Sequence, residues 1–264
     1  MAQQRVARPA GGDGAERLNA IPRVACRAVF LDAGGTIVLP HRALVAAGLA
    51  RAGIHITPEA VPGAHYAAVR RLHAAARSAG YFEALCAALR VAPVDTPAAV
   101  AALECLADRA HSGEILWSEP TPQARATIDA LTRAGARVLI VSNSDGHAAE
   151  NLRDAGICAV TPGAGSVVAD VVDSTVVGVA KPDPAIFEIA LRRAGVEPDD
   201  VVHVGDMVST DIAGARAAGI EPIHLDPHRS CRARDHRHVR SLAGIWRHVA
   251  PRGRATPARP DRII

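Results

Sequence analysis

The chain has 264 residues, 49% of them apolar, which is enough to bury a substantial core without disulfides or a structural metal to hold it. Aromatic residues make up only 3%, so that core is expected to be mostly Ala, Val, Leu and Ile. A formal charge of +3 argues against a dedicated nucleic-acid binder, whose basic residues would cluster on one face.

The five cysteines, Cys26, Cys86, Cys105, Cys158 and Cys231, are scattered and form no CxxC pair. This pattern fits a reducing compartment, with neither a disulfide framework nor a zinc site. The first residues, "MAQQRVARPAGGDGAERLNA", lack the apolar stretch of a secretory signal, and no uncharged apolar run is long enough to span a bilayer. The expectation is a cytoplasmic protein with no membrane partner. Among the basic residues Lys181 is the only lysine; all the others are arginine.

Residues 1–22 are Gly-, Arg- and Gln-rich and are expected to be disordered. "RAVFLD" then reads as a buried strand. From 41 to 116 the pattern is helical and Ala-rich, through "RALVAAGLARAG", "AHYAAVRRLHAAARSAG", "YFEALCAALR" and "PAAVAALECLADRA". Afterwards the rhythm changes to alternating strands and helices. "TPQARATIDALTRAG" predicts a helix ending at Gly135, "ARVLIVS" a strand, "AAENLRDAG" a helix and "VVADVVD" a strand. "DPAIFEIALRRAG" carries an N-cap at Asp183, Pro184 at the first helical position and Gly195 just past the end. "DDVVHVGD" and "EPIHLD" read as strands around the helix "TDIAGARAAG", and "HVRSLAGIWRHV" as a closing helix. Such alternation predicts an α/β fold with a doubly wound, mostly parallel sheet. Residues 23–40 and 117–250 would form this core, 41–116 an inserted helical cap, and 251–264 a loose basic tail.

Open α/β sheets place ligands at the carboxyl ends of their strands. In this chain those ends carry Asp32, Ser142 with Asn143, and Asp206, followed by Asp211; the loop before the capped helix adds Lys181. Each residue alone has an ordinary reading as a turn, cap or surface group. Together they supply carboxylates, a hydroxyl and an ammonium at one edge, a set suited to phosphoryl transfer. Carboxylates can hold Mg²⁺, Ser142 and Lys181 can neutralise phosphoryl oxygens, and Asp32 can attack phosphorus.

The set "FLDAGGT", "VSNS", "AKPDP" and "GDMVSTD" resembles the four motifs of the haloacid dehalogenase superfamily, over roughly residues 24 to 249. The resemblance implies a Rossmann-like core and a Mg²⁺-dependent phosphatase acting on a small phosphorylated metabolite. It implies Asp32 as nucleophile, with Ser142 and Lys181 holding the transferred group. Asp206 and the backbone of Gly34 would ligate the metal, Asp211 would support it directly or through water, and Thr36 and Asn143 would orient the phosphoryl pocket.

One position departs from the pattern. The family's phosphatases carry a second aspartate where this chain has Gly34. Glycine keeps the ligating carbonyl and loses the acid, a loss worth about 10²–10⁴-fold on a poor leaving group. Restoring an acid at this position should favour alkyl over aryl phosphates. The alternative reading is a catalytically reduced relative that binds a phosphorylated ligand or a partner; 2-haloacid dehalogenation also stays open. His41 or His65 in the helical region could replace the acid, but solvated helix histidines are the commoner case. Arg70 and Arg71 could meet a substrate anion or simply lie in water. The stretch "HRSCRARDHRHVR", with His228, His236 and His238, reads as a solvated basic loop more readily than as a metal or nucleic-acid site.

Overall fold

A computed structural model describes residues 23–74, 80–108, 112–163 and 165–252. The expected disordered opening, and all of the expected tail beyond Arg252, lie outside these residues. Along the chain, β1 (Val24–Cys26) precedes β2 (Ala28–Leu31) and β3 (Val38–Pro40). Helices α1 (Arg42–Arg51), α2 (Val61–Ala74), α3 (Tyr81–Ala88) and α4 (Thr96–Ala107) follow. The chain returns through β4 (Trp117–Pro120), α5 (Ala124–Arg133), β5 (Arg137–Ser142) and α6 (Ala148–Asp154). Then come β6 (Cys158–Ala159), β7 (Ser166–Val167), β8 (Asp170–Asp173), the short α7 (Ser174–Val177) and α8 (Pro184–Ala194). The last elements are β9 (Val201–Gly205), α9 (Ala213–Ala217), β10 (Glu221–Leu225), β11 (Arg237–Val239) and β12 (Val249–Pro251).

Six strands form the main sheet in the order β11-β10-β9-β2-β5-β8, and every pairing is parallel. Chain order runs outward from β2 to β5 and β8 on one side, then to β9, β10 and β11 on the other. The order in which strands are added therefore reverses at β2, and open α/β sheets bind ligands at such a switch point. The register sets Leu31 beside Ile140 and Val204, so the residues that follow all three strands share one rim.

Both faces of the sheet are covered, which is why its strands read as continuous apolar runs rather than alternating ones. Successive side chains point to opposite faces. Val29, Leu31, Val138 and Ile140 join one core with Ile128 and Leu131 of α5, while Ala28, Phe30, Leu139 and Val141 join another with Ile186 and Phe187 of α8. Helix α8 is held as its sequence predicts. Asp183 accepts a hydrogen bond from the Ala185 N–H (2.9 Å), and Gly195 ends the helix at φ 61°.

Helices α1–α4 close around a third core that includes Val45, Leu49, Leu85, Leu103 and Leu106. The chain leaves for these helices and returns along a ribbon the sequence did not announce, β3 paired antiparallel with β4. Glu119 of β4 accepts from the Arg42 backbone N–H (3.0 Å) and its guanidinium (2.7 Å), tying the two ends of the helical segment together.

The carboxyl-terminal part differs from the sequence expectation. "HVRSLAGIWRHV" is not one helix: β11, a tight 3₁₀ turn over Leu242–Arg247 and β12 replace it. Its valines pair instead, Val239 with Leu225 and Val249 with Val24, because parallel edges lay open on β10 and β1. The chain thus stays paired through Pro251, where a loose tail was expected to begin. "VVADVVD" breaks into β7 and β8, and the helix after β9 opens with a wide turn over Val208–Ile212. Among the described residues no helix is long and apolar enough to cross a membrane.

Candidate active site

Asp32 follows β2 at the switch point and is buried. Lys181 Nζ donates to Asp32 Oδ1 and to Asp211 Oδ1, 2.6 Å in each case, and to the Val141 carbonyl at 2.9 Å. The loop carrying this lysine is clamped to the end of β5. The Asn143 side-chain amide donates to the Lys181 carbonyl (2.9 Å), and its oxygen accepts the Lys181 N–H (2.8 Å). The polar end of Asn143 is therefore spent on backbone. Thr36 is buried, with Oγ1 at 3.4 Å from Asp32 Oδ2, and Ser142 is buried at the end of β5.

Asp211 is drawn inward by the wide turn after β9. Its Oδ1 meets Lys181 and His203 Nε2 (3.2 Å), and its Oδ2 accepts from the Met207 N–H (3.0 Å). Burial works against its charge, yet Lys181 and His203 hold the carboxyl well below the usual range. Asp32 and Asp206 go the other way. Burial raises both, further aided by the neighbouring acids, while Lys181 and His65 only partly offset it.

One carboxylate oxygen from each of Asp32, Asp206 and Asp211 lies within 4.8 Å of the other two. Hard oxygen donors gathered this closely, with less positive charge beside them than negative, fit Mg²⁺. Gly34 lines the same cavity as these carboxylates, and its carbonyl takes no part in folding the loop. The bridge that folds this loop onto Val38 uses the Ala33 carbonyl and the Gly35 N–H instead. Gly35 has φ +74°, and a Cβ there would sit 2.0 Å from Asp206 Oδ2 and 2.5 Å from His65 Nε2. Only glycine admits both the turn and the carboxylate's approach.

Above this floor opens a cavity of about 370 Å³. Asp32, Ser142, Lys181 and Asp206 line its base, and Val69, Leu72, Leu116 and Trp117 line its apolar wall. Against the expectation of a solvated helix residue, His65 of α2 is buried, with Nε2 at 3.1 Å from Asp206 Oδ2 and Nδ1 at 2.8 Å from Tyr81 Oη. Both contacts are satisfied when Tyr81 donates to Nδ1 and the Nε2–H donates to the carboxylate. His41, half-buried, does not line the cavity. Arg70 lines a second cavity instead, and Arg71 is exposed.

Sequence reasoning missed Trp117 and Tyr81. A Cβ on Gly34 would lie 3.3 Å from Trp117 Cζ3, so the indole covers the position from which a second aspartate would project. The rings of His65 and Trp117 meet edge to face, their centroids 5.7 Å apart. Nothing in the spacing of these residues signals the contact, because it joins helix α2 to strand β4.

Residues 26–219 match the haloacid dehalogenase-like hydrolase family. A glyceraldehyde 3-phosphate phosphatase of Methanopyrus kandleri is 46% identical over 56 residues, 21% of this chain and 24% of that protein. Haloacid dehalogenase-like hydrolase domain-containing protein 3 of Xenopus laevis is 36% identical over 106 residues, 40% of this chain and 41% of that protein. These matches thus span about a quarter and two fifths of the curated relatives' own lengths. In three dimensions, the HAD-hydrolase YfnB of Bacillus subtilis, solved bound to magnesium, shares the fold with a TM-score of 0.59 at 18% identity, over 84% of this chain and 97% of that one. With most of its length matched and all its motif residues meeting at one sheet rim, the chain belongs to the haloacid dehalogenase-like hydrolase family.

Proposed function

We propose that the protein is a Mg²⁺-dependent phosphatase acting on a small phosphorylated metabolite. One observation carries the reading: Asp32, at the switch point, shares Lys181 with Asp211 while Asp206 completes a carboxylate cluster. The phosphatase name of the Methanopyrus kandleri relative supports it. In this reading Asp32 Oδ attacks phosphorus, the phosphorus–oxygen ester bond breaks, and water later opens the aspartyl phosphate. Lys181 and Ser142 hold the phosphoryl oxygens, and Thr36 steadies the nucleophile.

Mg²⁺ would be held by the Asp32 and Asp206 carboxylates and the Gly34 carbonyl. The ion supplies positive charge that offsets repulsion between a carboxylate and an anionic substrate. Asp211, with both oxygens already engaged, acts by holding Lys181 and the Met207 loop. Helices α1–α4 serve as the cap that selects substrate. In its imidazolium form, with Nδ1–H turned to Tyr81 Oη, His65 gives its Nε2 proton to the leaving oxygen in place of the acid missing at Gly34 and is left a neutral ring; it lines the cavity beside Asp206.

A panel of phosphate esters with and without Mg²⁺ tests the assignment. Turnover should need the ion and fall on the order of 10⁴-fold or more in Asp32→Asn. The indole over Gly34 favours a second reading, a reduced relative that binds phosphate without hydrolysing it. Affinity for inorganic phosphate with no turnover across the panel would establish that reading instead.

A further inference from the structure

On the far side of β9 the chain builds a second cluster. His224, on β10, stands directly opposite His238 on β11, and strand alternation puts His236 on the same face as His238. Cys231, in the loop between these strands, turns in beside them. One donor atom from each of the four residues lies within 4.8 Å of all the others. The loop is solvated at His228, Arg229, Arg232 and Arg234 as the sequence suggests, but His224 is only 4% exposed and the His236 side chain 1%.

The hydrogen bonds settle which ring nitrogens carry protons. His224 Nε2 lies 3.1 Å from the Asp206 carbonyl and His238 Nε2 3.1 Å from the Ala233 carbonyl. A carbonyl only accepts, so both nitrogens are N–H donors. His236 Nδ1 faces the Asp235 carboxylate at 2.7 Å and donates likewise. In neutral rings, His224 Nδ1 and His236 Nε2 are then both lone pairs, and they face each other across 3.3 Å. Two lone pairs at that distance repel unless a cation lies between them.

We propose that His224, Cys231, His236 and His238 bind one zinc-class transition-metal ion in a closed tetrahedral site. Zn–N bonds of about 2.0–2.1 Å and a Zn–S bond of about 2.3 Å imply edges of roughly 3.3 and 3.6 Å. The structure has 3.3 Å between His224 Nδ1 and His236 Nε2, and 3.7 Å from Cys231 Sγ to His236 Nε2. Each histidine already has an acceptor on its far nitrogen, the outer-shell arrangement that orients metal-bound imidazoles. His224 and Cys231 line a cavity of about 380 Å³, which gives the ion an entry path. Four protein ligands leave no open position, so the ion's role is structural. It would brace the β10–β11 edge and, through His224, the carbonyl of Asp206.

The test is metal analysis of the full purified chain together with cobalt(II) substitution. One zinc per chain is expected. The cobalt form should show tetrahedral d–d bands and a thiolate-to-metal charge-transfer band. Cys231→Ser should remove the charge-transfer band, His236→Ala should abolish stoichiometric uptake, and chelation should lower the melting temperature. Uptake undiminished in His236→Ala would overturn the proposal by placing the ion elsewhere, on the carboxylates around Asp32 for example. A wild-type cobalt spectrum without the thiolate band would overturn it whatever the variants do. So would a chain that takes up no metal.

Discussion

Lys181 Nζ and Asp32 Oδ1 lie 2.6 Å apart, although 149 positions separate the two residues in the chain. The pair is almost fully shielded from water, with side-chain exposures of 2% and 9%. A buried ion pair of this kind is costly to break from one side, because the partner is left charged and unsolvated. Here the lysine also serves Asp211, so its loss would strand two carboxylates.

Lys181→Met is therefore expected to destabilise the fold by about 3–5 kcal/mol in the absence of metal. Urea denaturation with and without Mg²⁺ measures this. If the carboxylates share the ion, saturating Mg²⁺ should recover part of the deficit. An identical deficit under both conditions would show that the cluster holds no cation.

The contact between Trp117 and Gly34 alters what an acid restored at that position can do. Gly34→Asp alone should give little gain, because its Cβ would press on the indole at 3.3 Å. Combined with Trp117→Ala in a chain that also carries His65→Asn, it should raise turnover of alkyl phosphates by about 10²–10⁴-fold and of aryl phosphates much less. Steady-state rates on matched esters decide it. An equal gain on both would mean that protonation of the leaving group is not the limiting step.

For His65 the opposite comparison applies. His65→Asn should slow alkyl phosphate hydrolysis by about 10²–10⁴-fold while sparing aryl esters, whose leaving groups need no proton. If both classes slow together, His65 serves only to place Asp206.

Gly35→Ala probes the close approach at the floor. The positive φ alone costs about 1–2 kcal/mol for a residue with a side chain, and the methyl would displace Asp206. Thermal melts should show lowered stability, and titration calorimetry weakened Mg²⁺ affinity. Unchanged affinity would remove Asp206 from the ligand set.

The thiols differ in environment. Burial raises Cys26, aided by Asp200, from 9.0 to about 11, and burial raises Cys158 to about 12, so both stay protonated and inert near neutrality. Cys105 is exposed. Alkylation near pH 8 followed by mass mapping should modify Cys105 and spare these two. Because both folded values exceed the ordinary 9.0, the unfolded chain releases these protons first as pH rises. The stability they confer is intact below pH 9 and is lost progressively towards 12. Chemical denaturation across that range should show the decline, and a flat profile would contradict it.

What the sequence by itself determined lies in local pattern. Apolar runs ending in Asp32, Ser142 and Asp206 mark parallel strands covered on both faces, and Asp183, Pro184 and Gly195 mark the ends of a helix through chemistry within a few residues of each. These signals sufficed for the α/β core and for the acids, hydroxyl and lysine at its rim. Only the tertiary structure decided that His65 is buried against Asp206, that Trp117 covers Gly34, and that His224, Cys231, His236 and His238 converge. It also turned an expected closing helix into paired strands, because open sheet edges outweighed a weak helical pattern. Each of these depends on packing between elements or on strand register, and no residue's immediate neighbours along the chain encode it.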